Sequence, residues 1–500
     1  MPNPFESGLE ADFTLETERG GLIEEPPFQI LVTGDFSGDA VKKPLTDRRP
    51  KEIDRDNFEE VMSRIAPRLN LGDLVLDFAE LDDFHPDQIF RHLPVFTELR
   101  DLRRRLKDES TYNKAAGDVR AWMMSGAPRD ETPESTNGDA GGSADQQAAD
   151  NLLDAILAKP EGGAPKPKSR VSSEISSLIA DVVRPHLVAV DENEQKSMLA
   201  AVDEATSSLM REILHVRAFQ DLEAAWRGLY FLVRRTETSS DLKIFVLDVS
   251  KPELLGDLRS ASNLKDSALA KVLIETDPDE PWALVCGNYA FEGSKDDVAG
   301  LVRVAKVAAA AGAPFVSHMR PDVFGVHSIA AKPDPREWHM STDFDAGALW
   351  ATLRGIPEAK FLGMTMPLFL SRLPYGADTE PLETFSFEEF ADGPEHDSYV
   401  WANACFAAAT LLAQSYSNYG WEMGRSMMQD LEDLPVHMYK QDGETVYQPC
   451  SEVLMTQNAA ELLMEYGLMP LVSYKNTDRV KLARVQSIAD PVTGLKGRWN

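Results

Sequence analysis

The sequence predicts an α/β protein of two or three sheet-and-helix modules, joined by a disordered linker rich in Gly and Pro. Two short runs, Phe28–Thr33 and Leu242–Val249, are β-branched and apolar on both faces, which is typical of strands covered by helices on both sides. Ahead of the second run, apolar residues recur at helical spacing from Phe219 to Val233. A helix that leads into a buried strand is the building unit of α/β folds.

The first predicted module covers residues 28–123 and follows a flexible, acidic arm at residues 1–27. After its opening strand, the pattern predicts a helix that begins near Asp56 and a second strand at Leu74–Phe78. A long helix then starts at Pro86, a residue that suits the first helical turn because it lacks an N–H group. Alternating strands and amphipathic helices predict a compact α/β domain here.

A change of composition marks residues 124–173 as a disordered linker, because Gly, Pro, Ser and charged residues bury too little apolar surface to order a chain. Within it, a short helix is predicted at 149–158. One face of this helix carries Leu152, Leu153, Ile156 and Leu157. Three turns are too few for a stable isolated helix. The helix therefore either docks on its own protein or has no role, or it is a peptide that folds into a groove of another protein.

The second predicted module covers residues 174–500. Its first part is helical to about Arg235 and leads into the second buried strand. The segment Trp282–Met319 has the pattern of a strand, a helix and a strand, which predicts a βαβ unit with a right-handed crossover. Further along, Asp442-Gly443 separates two strand-like runs. This dipeptide supplies the positive φ of a tight turn and therefore predicts a hairpin.

Composition argues against several classes of function. The 500-residue chain has 51 Lys and Arg against 82 Asp and Glu, a net charge of −31, which disfavours nucleic acid or an anionic membrane as the main partner. Cys286, Cys405 and Cys450 form no CxxC pair, so we expect free thiols in a reducing compartment. No apolar run reaches the ~18–20 residues of a membrane span, and the acidic N-terminus does not resemble a signal peptide. We expect a cytoplasmic protein.

Two clusters deserve comparison with known ligand sites. The turn Gly34–Gly38 (GDFSG) follows a strand, as a phosphate loop does, but it lacks the Walker lysine and the third glycine of a dinucleotide loop. This favours a structural turn. A second cluster, at the start of a predicted helix, contains Asp82, Asp83, His85 and Asp87. A metal site is one interpretation, but acidic residues that complement the helix dipole are the simpler one.

Other catalytic signatures do not occur in the sequence. The histidines are scattered without an HExxH motif, and there is no G-x-S-x-G elbow. Glu223 and Arg227 lie one turn apart next to Trp226 on a predicted helix, which favours an ion pair over acid–base chemistry. We therefore expect no enzyme, no cofactor and no metal ion. An enzyme with an unrecognised site is the remote alternative.

The chain also resembles known families in two separate regions. Residues 28–106 resemble the small subunit of the bacterial type VI secretion contractile sheath, in the phrases GDFSG, RRPKEIDRDNFEEVMSRIAPRL and LDDFHPDQIFRHLPVFTELRDLRRRL. Residues 150–490 resemble the large subunit, in FQDLEAAWRGLYFLV, ALVCGNYAFEG, MTMPLFLSRLPYG and PCSEVLMTQNAAELLMEYGLMPLV. The resemblance implies a fusion of both subunits. Its signature positions here are Gly34, Asp35, Phe36, Gly38, Asp83, Phe84, Pro86, Leu222, Glu223, Trp226, Arg227, Gly228, Leu229, Pro374, Tyr375 and Gly376.

This resemblance implies a structural function in the bacterial cytoplasm. Such subunits stack into a helical tube around an inner tube and contract against a membrane-anchored complex to drive an effector-loaded spike outward. The implied partners are other sheath subunits, the inner tube protein, the baseplate and an AAA+ unfoldase. In the family, the unfoldase binds a short helix near the N-terminus of the large subunit, and the predicted helix at 149–158 has the corresponding place.

The sequence departs from the large-subunit family near its end. That family continues past the Gln486-Ser487 region with a further strand-bearing portion, whereas the sequence stops at Asn500. Two hypotheses follow. The chain is a main building block of the sheath, or it is a sheath-like accessory component, such as a cap, a nucleator or a baseplate adaptor, that does not polymerise alone.

Overall fold

The computed structural model describes residues 25–72, 74–108, 110–125, 194–275, 279–338, 346–391 and 393–500. Most of the predicted arm, up to residue 24, and the predicted helix at 149–158 lie outside the described residues. We call 25–125 the N-terminal half and 194–500 the C-terminal half. Both halves contain strands and helices, which confirms the α/β class.

The strands are short and most of them lie in the C-terminal half. In the described residues they are β1 (Phe28–Gly34), β2 (Lys51–Glu52), β3 (Arg68–Leu71), β4 (Leu74–Asp77), β5 (Leu242–Asp248), β6 (Trp282–Phe291), β7 (Phe315–Met319), β8 (Leu362–Met366), β9 (Phe369–Leu370), β10 (Trp401–Ala402), β11 (Asp430–Leu431), β12 (His437–Gln441), β13 (Glu444–Gln448), β14 (Leu468–Ser473) and β15 (Val480–Leu482).

The described residues also form twelve α-helices, five of which lie between β4 and β5. They are α1 (Phe58–Ile65), α2 (Pro86–His92), α3 (Pro94–Lys107), α4 (Tyr112–Ser125), α5 (Glu194–Leu214), α6 (Arg217–Arg234), α7 (Lys251–Ser260), α8 (Ala268–Ile274), α9 (Lys295–Ala311), α10 (Ala346–Arg354), α11 (Ala404–Tyr419) and α12 (Gln457–Glu465). None of the helices in the described ranges is long and apolar enough to span a lipid bilayer.

Nine strands form one central sheet in the order β11–β15–β14–β8–β7–β6–β1–β5–β2. The six strands from β14 to β5 are parallel, as expected when helices cover both faces of a sheet. The outermost strands β2 and β11 are antiparallel to their neighbours and only two residues long. Edge strands as short as these leave little backbone free to pair with the sheet of another molecule. Within the sheet, adjacent β6 and β7 are connected by α9 and form the predicted βαβ unit.

Strand β1 of the N-terminal half lies inside the sheet of the C-terminal half. It pairs in parallel with β5, from Phe28 opposite Leu242 to Gly34 opposite Asp248, and with β6 on its other edge. All seven residues of β1 are buried. The structure thus differs from the predicted arrangement, in which residues 28–123 have a sheet of their own. The apolar run correctly predicts a strand covered on both faces, but it carries no information about the partner strands.

The side chains of β1 alternate between two hydrophobic cores. Ile30 and Val32 point into the core beneath α6 and α11, together with residues of both halves. Leu31 points to the opposite face, into the core beneath α7, α9 and α12. Through this strand, the N-terminal half packs into the hydrophobic cores on both faces of the sheet.

The predicted hairpin is confirmed. Strands β12 and β13 pair in antiparallel register from His437 opposite Gln448 to Gln441 opposite Glu444. Their turn places Asp442 at φ 52° and Gly443 at φ 82°, the left-handed region that the Asp-Gly dipeptide supplies.

Cutting the chain between the two halves is expected to leave them associated. Release of β1 would break its hydrogen bonds along both edges and open both cores, so the fragments should stay together in native buffer. A protease site introduced between residues 125 and 194, followed by cleavage and size-exclusion chromatography, measures this. Both fragments should elute in one peak and separate only in denaturant. Separate elution in native buffer would contradict the prediction.

Candidate functional site, a buried ion network where the two halves meet

Helix α6 is the element on which the predicted signature residues converge. Its apolar face is buried, as the helical spacing predicts, and includes Phe219, Leu222, Trp226 and Leu229. Tyr230, predicted on the same face, is 37% exposed and lies at its rim, edge-on to Phe58 with ring centroids 5.2 Å apart. The helix therefore contacts both the sheet and α1 of the N-terminal half.

Trp226 joins α6 to the turn that follows β1. Its indole Nε1–H donates a hydrogen bond to the carbonyl oxygen of Phe36 at 2.9 Å. The rings of Phe36 and Phe58 pack edge-on against the indole, with centroid distances of 5.3 and 5.8 Å. All three side chains are buried, so this contact between the halves is both polar and apolar.

The backbone N–H groups of the Gly34–Gly38 turn donate hydrogen bonds to carboxylates of the chain itself. The N–H groups of Phe36 and Ser37 donate to Asp248 Oδ1 at 2.9 and 3.2 Å, and Ser37 Oγ–H donates to Asp248 Oδ2 at 2.7 Å. The N–H of Gly38 donates to Asp35, whose carboxylate also binds Lys42 at 2.7 Å. In this turn, Asp248 takes the place that a phosphate would have in a nucleotide loop.

Glycine is required at the end of this turn. Gly38 has a φ of +56°, and a Cβ there would lie 2.6 Å from the carbonyl oxygen of Arg68. A β-carbon would strain the backbone and displace β3 at the same time.

Asp83 and Asp87 of the acidic cluster at 82–87 also stabilise the fold through hydrogen bonds to backbone N–H groups. Asp83 Oδ2 accepts hydrogen bonds from the N–H groups of Ala79 and Glu80 at 2.6 and 3.0 Å. Asp87, 5% exposed, accepts from the N–H groups of Glu383 and Thr384 in the C-terminal half at 2.9 and 3.1 Å. Across the described ranges, no three His, Cys, Asp or Glu side chains are grouped as metal ligands.

The neighbours of this cluster in the signature are apolar anchors. Phe84 stacks on Phe78 with ring centroids 4.2 Å apart and meets Phe219 of α6 edge-on at 5.6 Å. Pro86 is the first residue of α2 and is buried. His85 packs edge-on against Tyr375 with a centroid distance of 4.9 Å. The residues that begin α2 therefore contact two separate segments of the C-terminal half.

At the centre of the site, Arg372 bridges two buried carboxylates. Its Nε–H donates to Glu223 Oε1 at 2.7 Å, and its Nη1 and Nη2 groups donate to Glu389 at 2.8 and 3.0 Å. Glu223 is 0%, Glu389 1% and Arg372 5% exposed. Arg227 extends the network, with its Nε 2.6 Å from Glu223 Oε1. We call these four residues the buried ion network; two cations and two anions balance its charge.

The network is closed by the Pro374–Gly376 turn. Arg227 Nη2 donates to the Tyr375 hydroxyl at 3.1 Å, and the backbone N–H of Tyr375 donates to Glu389 Oε2 at 2.8 Å. Burial would raise the pKa of Glu389, but Arg372, His215 and this N–H outweigh burial and hold the pKa at about 2. Burial raises the pKa of Tyr375 well above its usual range. The Glu389 carboxylate therefore stays charged, and the neighbouring Tyr375 phenol stays neutral.

Gly228 allows α6 to approach α11 closely. A Cβ at this position would lie 2.4 Å from two ring carbons of Phe406, a fully buried side chain of α11. Only a residue without a side chain fits against the ring in this arrangement.

Local sequence patterns predict only one side of the network. The helical spacing pairs Glu223 with Arg227, and the family resemblance includes Tyr375, but neither identifies Arg372, Glu389 or Asp87 as partners. One available signal was the position of Arg372, because a single arginine within the apolar segment Phe361–Leu373 needs a buried counterion. The predicted docking residues Leu152, Leu153, Ile156 and Leu157 lie outside the described residues.

A groove of about 860 Å³ runs along α5 beside the network. It is lined by Glu204, Ser208, Arg211, Glu212, His215 and Ala391, among others. His215 Nε2 lies 3.7 Å from Glu389 Oε1, so the groove touches the network. Burial raises the pKa of Glu212 to about 7, against a smaller opposite effect of Arg211.

Glu212→Gln is expected to remove part of the pH dependence of stability. Because the folded chain holds a proton on Glu212 up to about pH 7, whereas the ordinary value is 4.5, the folded state is favoured at low pH. This stabilisation is complete below about pH 4.5 and is lost as the pH rises through about 7. Urea unfolding of both proteins across this range measures it. Glu237→Gln, at an exposed position, is the control, and a constant difference between wild type and E212Q would contradict the prediction.

Comparison with known proteins finds sheath components in both halves. The family model VipB, described as EvpB/VC_A0108, tail sheath N-terminal domain, matches residues 196–489. The model T6SS_VipA, described as Type VI secretion system, VipA, VC_A0107 or Hcp2, matches residues 11–123. A curated relative, the Type VI secretion system sheath protein TssC1 of Pseudomonas aeruginosa, is 37% identical over 306 residues. This match covers 59% of the chain and 61% of the relative, less than two thirds of its length.

Proposed function

Because the chain belongs to the VipB tail-sheath family and also carries a VipA region, we propose that it is a structural subunit of a type VI secretion contractile sheath. In this proposal one polypeptide supplies both sheath subunits. It would stack with further copies or with a separate sheath pair around an inner tube, and contract against a baseplate to deliver effectors.

The position of β1 is the observation that carries this proposal. The strand belongs to the region that matches VipA, and it is hydrogen-bonded on both edges to strands of the region that matches VipB. Trp226 and Asp87 add side-chain contacts across the same boundary. Such a joint sheet is suited to a mechanical subunit, because a load on either half is transmitted through backbone hydrogen bonds.

A structural role without catalysis agrees with the chemistry of the site. Glu223, Arg227, Arg372 and Glu389 bind one another, and the turn after β1 binds Asp248. Groups that are engaged in this way support the fold.

Negative-stain electron microscopy of the purified chain, alone and co-expressed with a separate VipA–VipB pair, tests the proposal. Tubes formed by the chain alone are the expected result for a one-polypeptide sheath. Particles found only at the ends of the partner's tubes would favour an accessory cap or nucleator. Particles that never join a tube would count against the sheath function.

The unfoldase hypothesis has its own test at residues 149–158. If this stretch docks through its apolar face, Leu153→Asp with Ile156→Asp should abolish binding to the N-terminal domain of an AAA+ unfoldase, measured by fluorescence anisotropy. Asp154→Ser, on a polar position of the same stretch, should leave binding intact. Equal binding by the double variant would contradict the hypothesis.

A further inference from the structure

A positively charged loop lies at one edge of the central sheet, although the chain as a whole is strongly acidic. We call Val41–Lys51 the basic loop. It contains five Lys or Arg and a single acidic residue, Asp47, in a chain of net charge −31. It ends at Lys51, the first residue of edge strand β2. A local excess of positive charge on such a chain attracts a partner rich in carboxylates.

Two of its cations hold the basic loop in place. Arg48 donates from Nε to the carbonyl oxygen of Lys43 at 2.8 Å and from Nη1 to that of Asp248 at 2.8 Å. Its Nη2 lies 2.5 Å from Glu253 Oε1. Lys42 binds Asp35 at 2.7 Å. The loop is therefore preorganised, which lowers the entropic cost of binding a partner.

The other three cations have no acidic partner of their own. Lys43, Arg49 and Lys51 form no ion pair with any residue that the structure describes. Lys43 and Arg49 are exposed, and Val41, the first residue of the loop, is 103% exposed. Burial lowers the pKa of Lys51, and the cations Arg64 and Lys43 lower it further against the opposite effect of Asp248. Lys43 and Arg49 thus present unpaired positive charge to solvent, whereas Lys51 is partly buried near Asp248.

The carboxylates that complement this loop lie elsewhere on the same chain. We call Ala377–Asp397 the acidic segment, which contains no Lys or Arg. Among its described residues, the exposed carboxylates are Asp378, Glu380, Glu383, Glu388, Glu395 and Asp397. The segment is fixed by hydrogen bonds of Glu383 and Thr384 to Asp87 and by Glu389 in the ion network. Among the described ion pairs, none connects it to the basic loop of the same chain.

We propose that the basic loop of one copy docks on the acidic segment of a second copy. Because the two surfaces differ, the contact is heterologous, and such contacts propagate into rings or open helical filaments and do not close at a dimer. This proposal rests on the proposed function, and it identifies the surfaces through which copies of the chain contact one another.

A simpler role for the loop makes a different prediction about charge sign. Lysine on an edge strand discourages edge-to-edge aggregation, and a charge of either sign serves that purpose. Replacement of Lys43 and Arg49 by Glu keeps the magnitude of the charge at both positions and reverses its sign. Only docking on carboxylates is lost by this change, so the sign of the charge separates the two roles.

The experiment compares assembly of four variants with wild type by sedimentation and electron microscopy. K43E/R49E and D378K/E380K should each raise the critical concentration for assembly roughly tenfold, since steering by opposite charges accelerates association by about this factor or more. The combined variant, with both surfaces reversed, should assemble near the wild-type concentration. K265E/K271E is the control, because these lysines are exposed, form no described ion pair and change the net charge equally. Wild-type assembly should weaken as salt screens the contact.

Each outcome decides the proposal. Unchanged assembly of K43E/R49E, an equal loss in K265E/K271E, or no recovery in the combined variant would overturn it. If K43E/R49E loses binding to phosphatidylserine vesicles and keeps its assembly, the loop binds a lipid surface. If wild type forms no tubes alone, the one-polypeptide sheath fails, and sedimentation velocity at rising concentration still tests whether self-association depends on the loop. Circular dichroism confirms that the variants are folded.

Discussion

Replacement of Arg372 by methionine is expected to lower the free energy of unfolding by about 3–5 kcal/mol, the cost of removing one partner from a buried ion pair. Arg372 is the shared counterion of Glu223 and Glu389, which are 0% and 1% exposed. Without it, both carboxylates face a site of low polarity, and Arg227 remains beside only one of them. Urea unfolding followed by fluorescence measures the change.

Two variants calibrate this result. Arg91→Met removes an exposed pair with Glu383 at 3.6 Å and should cost less than about 1 kcal/mol. R372M combined with E389Q should recover much of the loss, because Glu389 then loses its charge together with its counterion and the balanced Glu223–Arg227 pair remains. If R372M costs no more than R91M, the network is not a significant source of stability.

Trp226→Ala should cost a similar amount, about 3–5 kcal/mol, as is typical for removal of a buried tryptophan side chain. The indole is 0% exposed, packs against Phe36 and Phe58, and binds the carbonyl oxygen of Phe36. Tyr230→Ala on the same helix removes a side chain that is 37% exposed and should cost much less. Thermal and urea unfolding of both variants test this difference.

Trp226→Phe separates the hydrogen bond from the packing. It keeps an aromatic ring but leaves the carbonyl oxygen of Phe36 without its indole donor, which should cost about 1–3 kcal/mol. W226F should therefore lie between wild type and W226A. A W226F protein as unstable as W226A would mean that packing contributes little at this position.

Local sequence patterns predict those helices, strands and turns whose formation depends on residues close by in the sequence. The apolar face of α6 follows from its helical spacing, and the β12–β13 hairpin follows from Asp442-Gly443. The two-residue strands β2 and β11 could not be found in this way, because two residues have no measurable period. Their pairing depends on the strands that they meet in the folded sheet.

Long-range partners limited the prediction of the site. The Glu223–Arg227 pair lies within one helical turn and could be predicted, whereas Arg372 is 149 residues away from Glu223 in sequence. The same limit explains β1, whose partners β5 and β6 lie more than two hundred residues further along the chain. A buried strand or a buried charge indicates that a partner exists, but its identity depends on the tertiary fold.

The position of β1 inside the sheet has a consequence for biosynthesis. The ribosome completes β1 before the other described strands, yet its two neighbours are complete only after about 290 residues have been translated. At about 5–20 residues per second, this segment waits for some tens of seconds with its pairing edges open. Fusion makes the later capture intramolecular, so it does not depend on the concentration of a second polypeptide. We therefore expect the chain to need chaperones most during this interval, when the N-terminal half has been translated and β5 and β6 have not.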